Sequence, residues 1–303
     1  MTPDPRDGTF RTGATGGAKR LDRALKDARP TCSWREVRDL IERGKVEVDG
    51  QRTTDAGRVL SPGTEITIAV ATARLAKEPA VPPFDRARVL HLDAHIVVVD
   101  KPPGLSTVPW QDEVDALDRR VQAMLAQPIH VVQRLDRDTS GAMVFARSSS
   151  AFTHLEHQLR RHTVHRRYLA IAHGNVRAAT MRTFLADDRG DGLRGSVPNS
   201  RIGKESITHI EPVEVLAAAT LVRCRLETGR THQIRIHLAE AGHMLLGERG
   251  YVRDHRGPVL LAPRIMLHAT ELGFEHPATG APVRFEVPMP EDMTAVLERL
   301  RKP

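Results

Sequence analysis

The sequence predicts an α+β protein: a mixed, largely antiparallel central sheet with flanking helices, preceded by a small αβ unit. Three observations predict it. From residue 88 onward, short apolar runs of strand length dominate. Helix-period segments there are few and do not alternate regularly with the strands, as they would in a parallel α/β sheet. A stretch with Pro79, Pro82 and Pro83 separates this region from a short helix–strand pattern near the N-terminus.

Residues 1–18, rich in Gly, Thr, Pro and Arg without periodicity, read as a disordered lead-in. Within 19–70, Trp34, Val37 and Ile41 recur at i, i+3 and i+7 with Leu40 beside them, a helix with one apolar face. Gly44 stops it, and Lys45–Gln51 alternates into an Asp49-Gly50 turn. Ser61-Pro62-Gly63 is a second turn, leading to a strand over Glu65–Ala69. Residues 71–87 read as a linker and 88–303 as the main domain. Its strands fall at His95–Asp100, Ala142–Ala146, Tyr168–Ala172 and Ala219–Leu226, its helices at 112–126, 149–162, 231–241 and 291–300. No internal repeat is visible.

Charge narrows the partners. A formal charge of +7 and a pI near 9.9 favour an anionic partner, be it RNA, DNA or an anionic membrane. Arginines outnumber lysines 38 to seven. Arginine makes planar, forked contacts to phosphate and stacks on bases, although high genomic GC content enriches it too. Cys32 and Cys224 are the only cysteines and form no CxxC pair, which argues against a disulfide framework and a cysteine-ligated zinc site. The opening Met-Thr-Pro-Asp-Pro-Arg lacks an apolar signal core, and no apolar run approaches the roughly 18 residues of a membrane span. The expectation is a soluble, cytoplasmic monomer with no membrane partner. Neither a P-loop nor a dinucleotide-binding glycine fingerprint is present.

The most informative stretch is Gln133-Arg-Leu-Asp-Arg-Asp-Thr-Ser-Gly141, lying between the apolar segments Ile129–Val132 and Ala142–Ala146. It should form a loop joining two strands, with Asp138, Thr139, Ser140 and Gly141 as turn formers. Charge and turn chemistry alone read it as a solvated hairpin tip, with Arg134 and Arg137 flanking Asp136. The full string, however, resembles the signature of RluA-type pseudouridine synthases, in which Arg-Leu-Asp followed by Thr-Ser-Gly carries the family's catalytic aspartate. The resemblance makes Asp136 that residue, and Arg134 the arginine inserted near the flipped nucleotide. Gln133 departs from the family's usual histidine; glutamine still hydrogen-bonds but does not titrate near neutral pH.

A second block, Leu226-Glu-Thr-Gly-Arg-Thr-His-Gln-Ile-Arg-Ile-His237, agrees. It reads as a strand ending at Gly229, then a helix capped by Thr228 or Thr231, with Ile234, Leu238 and Ala241 on one packed face. Arg230, His232 and Arg235 in its first turns oppose the helix dipole, which makes sense if they meet a phosphate or a buried carboxylate; a merely solvated basic start is the plain reading. The block resembles the family's Thr-Gly-Arg-Thr-His-Gln-Ile-Arg segment, in which Arg235 pairs with the catalytic aspartate. Three weaker pieces follow the family's order. Asp100-Lys-Pro-Pro-Gly-Leu105 is alone an ordinary proline turn. Arg166-Arg-Tyr-Leu-Ala-Ile-Ala-His-Gly174 supplies Tyr168, which by resemblance packs on the target base. His268–Gly280 resembles the C-terminal segment, while Gly247-Glu-Arg-Gly-Tyr251 departs from the usual Gly-Asp start. The N-terminal unit, from Arg20-Leu-Asp through Asp39–Gly50 to Pro62-Gly-Thr-Glu-Ile66, resembles the S-four-type RNA-binding domain.

The resemblance implies an isomerase that converts uridine to pseudouridine in structured RNA, with large-subunit ribosomal RNA the expected substrate. No cofactor or metal is implied, because the reaction has no redox or phosphoryl-transfer step. A carboxylate beside the anomeric carbon can add covalently, stabilise an oxocarbenium-like state or remove the neighbouring sugar proton, and those routes stay open. The site expectation is Asp136, Arg235 and Tyr168 for catalysis. Arg134, Arg137, Arg230 and His232, with Arg35, Arg38, Arg43 and Lys45 in the small unit, are the expected RNA contacts. His154, His157, His162 and His165 lack a completing carboxylate or cysteine set and read as a basic face rather than a metal site. The competing reading is a non-catalytic ribosomal-RNA-binding assembly factor.

Overall fold

The computed structural model describes residues 8–13, 19–69, 81–110, 113–190, 192–253 and 255–302, and the chain divides into two compact units, 1–80 and 81–303. Among the described residues no helix is long and apolar enough to cross a membrane.

In the first unit, strands β1 (Gly8–Arg11), β3 (Val46–Val48), β4 (Gln51–Thr53) and β6 (Glu65–Ile68) form a four-stranded sheet in the order β1-β6-β3-β4, and β2 (Lys19–Arg20) pairs β5 (Val59–Leu60). Residues 8–11 are therefore a paired strand, against the expected disordered lead-in; 1–7 and 14–18 lie outside the described residues. Helices α1 (Leu21–Ala28) and α2 (Trp34–Glu42) pack on the sheet through Leu21, Leu25, Val37, Leu40 and Ile41. Helix α2 opens with a capping box, in which the Glu36 amide donates to Ser33 Oγ and the Ser33 amide to the Glu36 carboxylate. That arrangement is worth about 1 kcal/mol. Trp34, assigned to the apolar face from its spacing, is instead 41% exposed, with the Arg23 guanidinium over its ring. As the first residue of the helix it precedes the turn that meets the sheet.

The second unit is an eleven-stranded sheet: β7 (Val89–Leu92), β8 (Ile96–Lys101), β9 (His130–Val131), β10 (Ser140–Ala146), β11 (His165–His173), β12 (Ala179–Ala186), β13 (Gly195–Val197), β14 (Lys204–Val215), β15 (Ala219–Leu226), β16 (Leu267–Glu275) and β17 (Pro282–Glu286). The main order is β13-β12-β14-β15-β11-β16-β10-β8-β7; among the described residues only β10 and β16 pair parallel. Helices α3 (Leu117–Leu125) and α5 (Gln233–Glu240) cover one face, packing Leu117, Val121, Ile234 and Leu238 against Val97, Val99, Met143, Phe145 and Val222. Helix α4 (Ser149–Arg160) covers Val98, Ala142 and Val144 on the other face, and α6 (Glu291–Arg301) covers Ile171 and Leu221. Strand β10 is buried along its whole length, which explains its uninterrupted apolar run.

Several boundaries differ from the expectation. Helix α3 begins at Leu117 rather than 112, because the Leu117 and Asp118 amides donate to the Ser106 and Thr107 carbonyls and hold the preceding chain extended. Residues 84–87, placed in the linker, belong to the second unit: Phe84 is buried in its core and its amide donates to the Arg120 carbonyl. Residues 71–80 lie outside the described residues.

Candidate active site

Strands β9 and β10 pair only through Val131–Phe145 and His130–Ala146, so residues 132–139 leave the sheet as a loop. Two buried cations grip it. The Lys101 ammonium, at the end of β8, donates to the carbonyls of Pro102, Leu105 and Arg137 at 2.9, 2.7 and 2.9 Å. Burial pushes Lys101 down to about 7, opposed by the charges of Asp136 and Asp138; three acceptors, one for each N–H, fit the charged form. Arg264 donates to the Asp138 carbonyl and to Ser140 Oγ, and is itself forked onto Asp292 of α6. The carbonyls of the two residues after Asp136 are thus both held from inside the protein. Leu135, just before it, is buried and pinned through Thr107 Oγ1.

What the loop leaves partly exposed is the Asp136 carboxylate. Its Oδ2 accepts from Arg235 Nη1 at 3.2 Å, and His232 Nε2 lies 3.8 Å away. Arg235 rises from the first turn of α5, where its Nε and Nη2 also donate to the two oxygens of Glu248 at 2.8 and 2.9 Å. Glu248 is fully buried at its side chain and accepts three further amides, from Arg249, Gly250 and Tyr251. Burial opposes the Arg235 charge, yet the hydrogen bonds and charge of Glu248, with Asp136, overcome it and raise its pKa. Burial likewise opposes ionisation of Glu248, and Arg235 outweighs it, lowering its pKa. His232 takes a left-handed φ of 59° ahead of the helix; its Nδ1 meets Tyr251 Oη at 2.7 Å, and burial lowers its pKa.

Two glycines permit the close approaches behind this site. A Cβ on Gly141 would lie 2.2 Å from the Ala269 carbonyl oxygen, at the parallel β10–β16 contact, and one on Gly247 would lie 1.9 Å from that of Arg264. Both have positive φ. Tyr168 stands on β11 in the same apolar cluster as Leu135 and Ile234; burial, with a smaller contribution from the Asp136 charge, raises its phenol pKa.

Known proteins carry the same chain organisation. The family model described as RNA pseudouridylate synthase matches residues 95–240, and that of the S4 domain matches 19–66. The ribosomal large subunit pseudouridine synthase D of Xylella fastidiosa is 35% identical over 314 residues, covering 98% of this chain and 93% of that protein. The Bacillus subtilis protein named uncharacterized RNA pseudouridine synthase YlyB is 33% identical, over 94% of this chain and 95% of its own. The chain belongs to the RNA pseudouridylate synthase family. Isomerisation of uridine in RNA is therefore its activity. The solved structure of human RNA pseudouridylate synthase domain containing 4 shares the fold, with a TM-score of 0.59, 24% identity and coverage of 71% of this chain and 93% of that one.

The residues singled out from sequence do not all lie in one place. Asp136, Arg235 and His232 lie together, and Tyr168 packs in the apolar cluster of Leu135, the residue before Asp136. Arg134 is exposed on the same loop; Arg137 turns aside, donating to the Gly104 carbonyl and pairing with Glu113 at 2.9 Å. Arg230 is half-buried, its Nε bonded to the Glu205 carbonyl. In the first unit, Arg35, Arg38 and Arg43 are exposed on and just after α2, while Lys45 is half-buried. The expected cap of α5 is corrected: the cap residue is His232, and Gln233 Oε1 takes the Arg230 amide while Thr228 Oγ1 donates to that same oxygen. Ala241 lies past the helix end and is exposed, not packed.

Sequence reading missed Glu248, Lys101 and Arg264. The first two sit inside segments that the resemblance had marked, in Gly247-Glu and Asp100-Lys-Pro, but nothing in those strings shows a buried charge. Among the described residues the one grouping at metal-ligand distances is His91, Asp93 and His276. His276 Nδ1 accepts the Ala278 and Thr279 amides, which leaves the proton on Nε2, aimed at Asp93 Oδ2 at 2.8 Å. A nitrogen that must donate is not free to ligate. The cluster is a clamp between β7 and the turn after β16.

Proposed function

We propose that this isomerase acts on large-subunit ribosomal RNA, with Asp136 as its catalytic carboxylate, Arg235 as the residue that orients it and Tyr168 as the surface for the target base. One observation carries the reading: a solvent-facing carboxylate on a loop held by two buried cations, bonded to a guanidinium that is itself fixed by a fully buried glutamate. Such a group is aimed before substrate arrives, so little reorganisation remains at the reacting carbon. Relatives named for the large ribosomal subunit support the choice of RNA.

Isomerisation breaks the N-glycosidic bond, turns the base while it stays bound and rejoins it through carbon 5. Asp136 would act at the anomeric centre, by addition, by stabilising an oxocarbenium-like state or by removing the adjacent sugar proton. The base must first leave its stack, at a cost of about a few kcal/mol. Tyr168 and its apolar neighbours would receive it, and Arg134 would fill part of the gap. No redox or phosphoryl-transfer step occurs, so the chemistry itself calls for no cofactor.

The test is tritium release from large-subunit ribosomal RNA transcribed with 5-tritiated uridine. The expected result is tritium in water with no free uracil. Free uracil would indicate a glycosidase, and neither product would indicate a binding protein or a different RNA.

A further inference from the structure

Beside the loop that carries Arg230 and His232, the edge of the sheet is hollowed into a cleft of about 440 Å³. Its cationic lining is Arg194, just before β13, Arg201 and Lys204, from the chain between β13 and β14, and Arg230. Among the described residues one acid lines it, Asp187, and that acid is already bonded to Arg194. Arg201 and Lys204 are exposed, with no carboxylate partner among the described residues. Among the described residues no aromatic ring lines the cleft, so it offers charge and forked donors rather than a platform for a base.

A second observation lies behind its wall. Arg166 is only 7% exposed, and its guanidinium presses on Gly229, where a Cβ would come within 2.4 Å of Nη1. Nη2 donates to the Glu227 carbonyl at 2.8 Å, while the buried Nε has no partner and no carboxylate pairs with the group among the described residues. A buried cation without a counter-ion is costly. An anion on the far side of Gly229 would offset part of that cost. The loop from Gly229 to Thr231 also joins the cleft to the reaction centre, since the next residue, His232, stands 3.8 Å from Asp136.

We infer that this cleft binds backbone phosphates of the RNA strand flanking the target uridine, with Arg201 and Lys204 as direct contacts and Arg194, Arg230 and Arg166 supplying the field. The inference rests on the reading of Asp136 as the place where the target nucleoside sits. Phosphate contacts of this kind fix register and orientation without reading sequence.

The experiment uses the full chain and transcribed large-subunit ribosomal RNA. Binding is titrated against salt for the wild type, for an Arg201→Ala/Lys204→Ala double variant and for Arg160→Ala, an exposed arginine on α4 away from the cleft. Each single-strand phosphate contact contributes about 0.7 to the slope of log affinity on log salt, so the double variant should lose about 1.4 of slope and about tenfold in affinity. A wild-type slope in the double variant, or an equal loss in Arg160→Ala, would overturn the inference. Product formation by the wild type is read in the same tubes. Failure of the activity reading would therefore show as absent tritium release, independently of the slope.

Discussion

Asp136 owes its position to residues that do not touch RNA chemistry themselves. Arg235 bonds it through one nitrogen and gives the other two to Glu248, so the three groups form a single chain from core to solvent. Arg235→Ala should reduce turnover more than Arg235→Lys, because lysine keeps the charge and loses the fork. Glu248→Gln keeps size but not charge; losing a charge-assisted bond of about 1.5–3 kcal/mol should lower kcat by about tenfold or more, with KM nearly unchanged. Steady-state kinetics on one RNA checks both, and a Glu248→Gln enzyme with wild-type kcat would show that Arg235 holds its place without it. The Arg134-Leu-Asp136 and Thr231–Arg235 strings stood out because their order matches a family pattern, and the structure brings Asp136 and Arg235 into contact. Glu248 did not stand out, since an acid between Gly247 and Arg249 reads as a solvated turn. Lys101 was hidden for the same reason: its three carbonyl partners come from two separate loops.

Helix α5 shows what periodicity misses at the scale of an element. Its Ile234 and Leu238 face the sheet, while Ile236 and Ala239 pack with Leu185, Met244 and Tyr251, so the helix is buried on both sides. His237 lies between, its ring nitrogens each 2.9 Å from a threonine hydroxyl, of Thr183 and Thr208, and burial pushes its pKa down to about 4. The unfolded chain protonates this ring near 6.5. Between those values the unfolded state binds more protons, so stability is complete above 6.5 and falls as pH falls toward 4, by on the order of 3 kcal/mol. Thermal denaturation should show a smaller drop in Tm between pH 7 and 4.5 for His237→Gln than for the wild type; equal drops would mean that His237 does not carry the effect. Gly141 is a sharper constraint. Gly141→Ala drives a Cβ into the Ala269 carbonyl and should destabilise by more than about 3 kcal/mol, measured by urea denaturation. The strands were legible because β8 and β10 are continuous apolar runs. The crossing of β10 with β16 was not, because the partners are more than 120 residues apart.

At the scale of the molecule, each unit has a core of its own, Leu21, Ile41 and Ile66 in one and Val97, Phe145 and Leu238 in the other. Removing residues 1–80 should therefore leave the second unit folded. If Arg35, Arg38, Arg43 and Lys45 contact RNA, the truncated protein should bind long structured RNA more weakly and with a shallower salt slope, by about 0.7–0.9 per lost phosphate contact. Its single-turnover rate should hold, because Asp136, Tyr168 and Arg235 remain; a collapsed rate would show that the first unit helps to build the site. The division itself was legible from Pro79, Pro82 and Pro83, but not the burial of Phe84, a lone aromatic in a polar stretch. The central claim, that this fold aims one carboxylate at the target nucleoside, is tested most directly by Asp136→Asn. Single-turnover tritium release and RNA affinity should be measured side by side for this variant and the wild type. The account predicts no detectable release from Asp136→Asn with affinity unchanged within about a few fold, since the amide keeps the shape and loses the carboxylate charge that all three routes need. Release at the wild-type rate would contradict it.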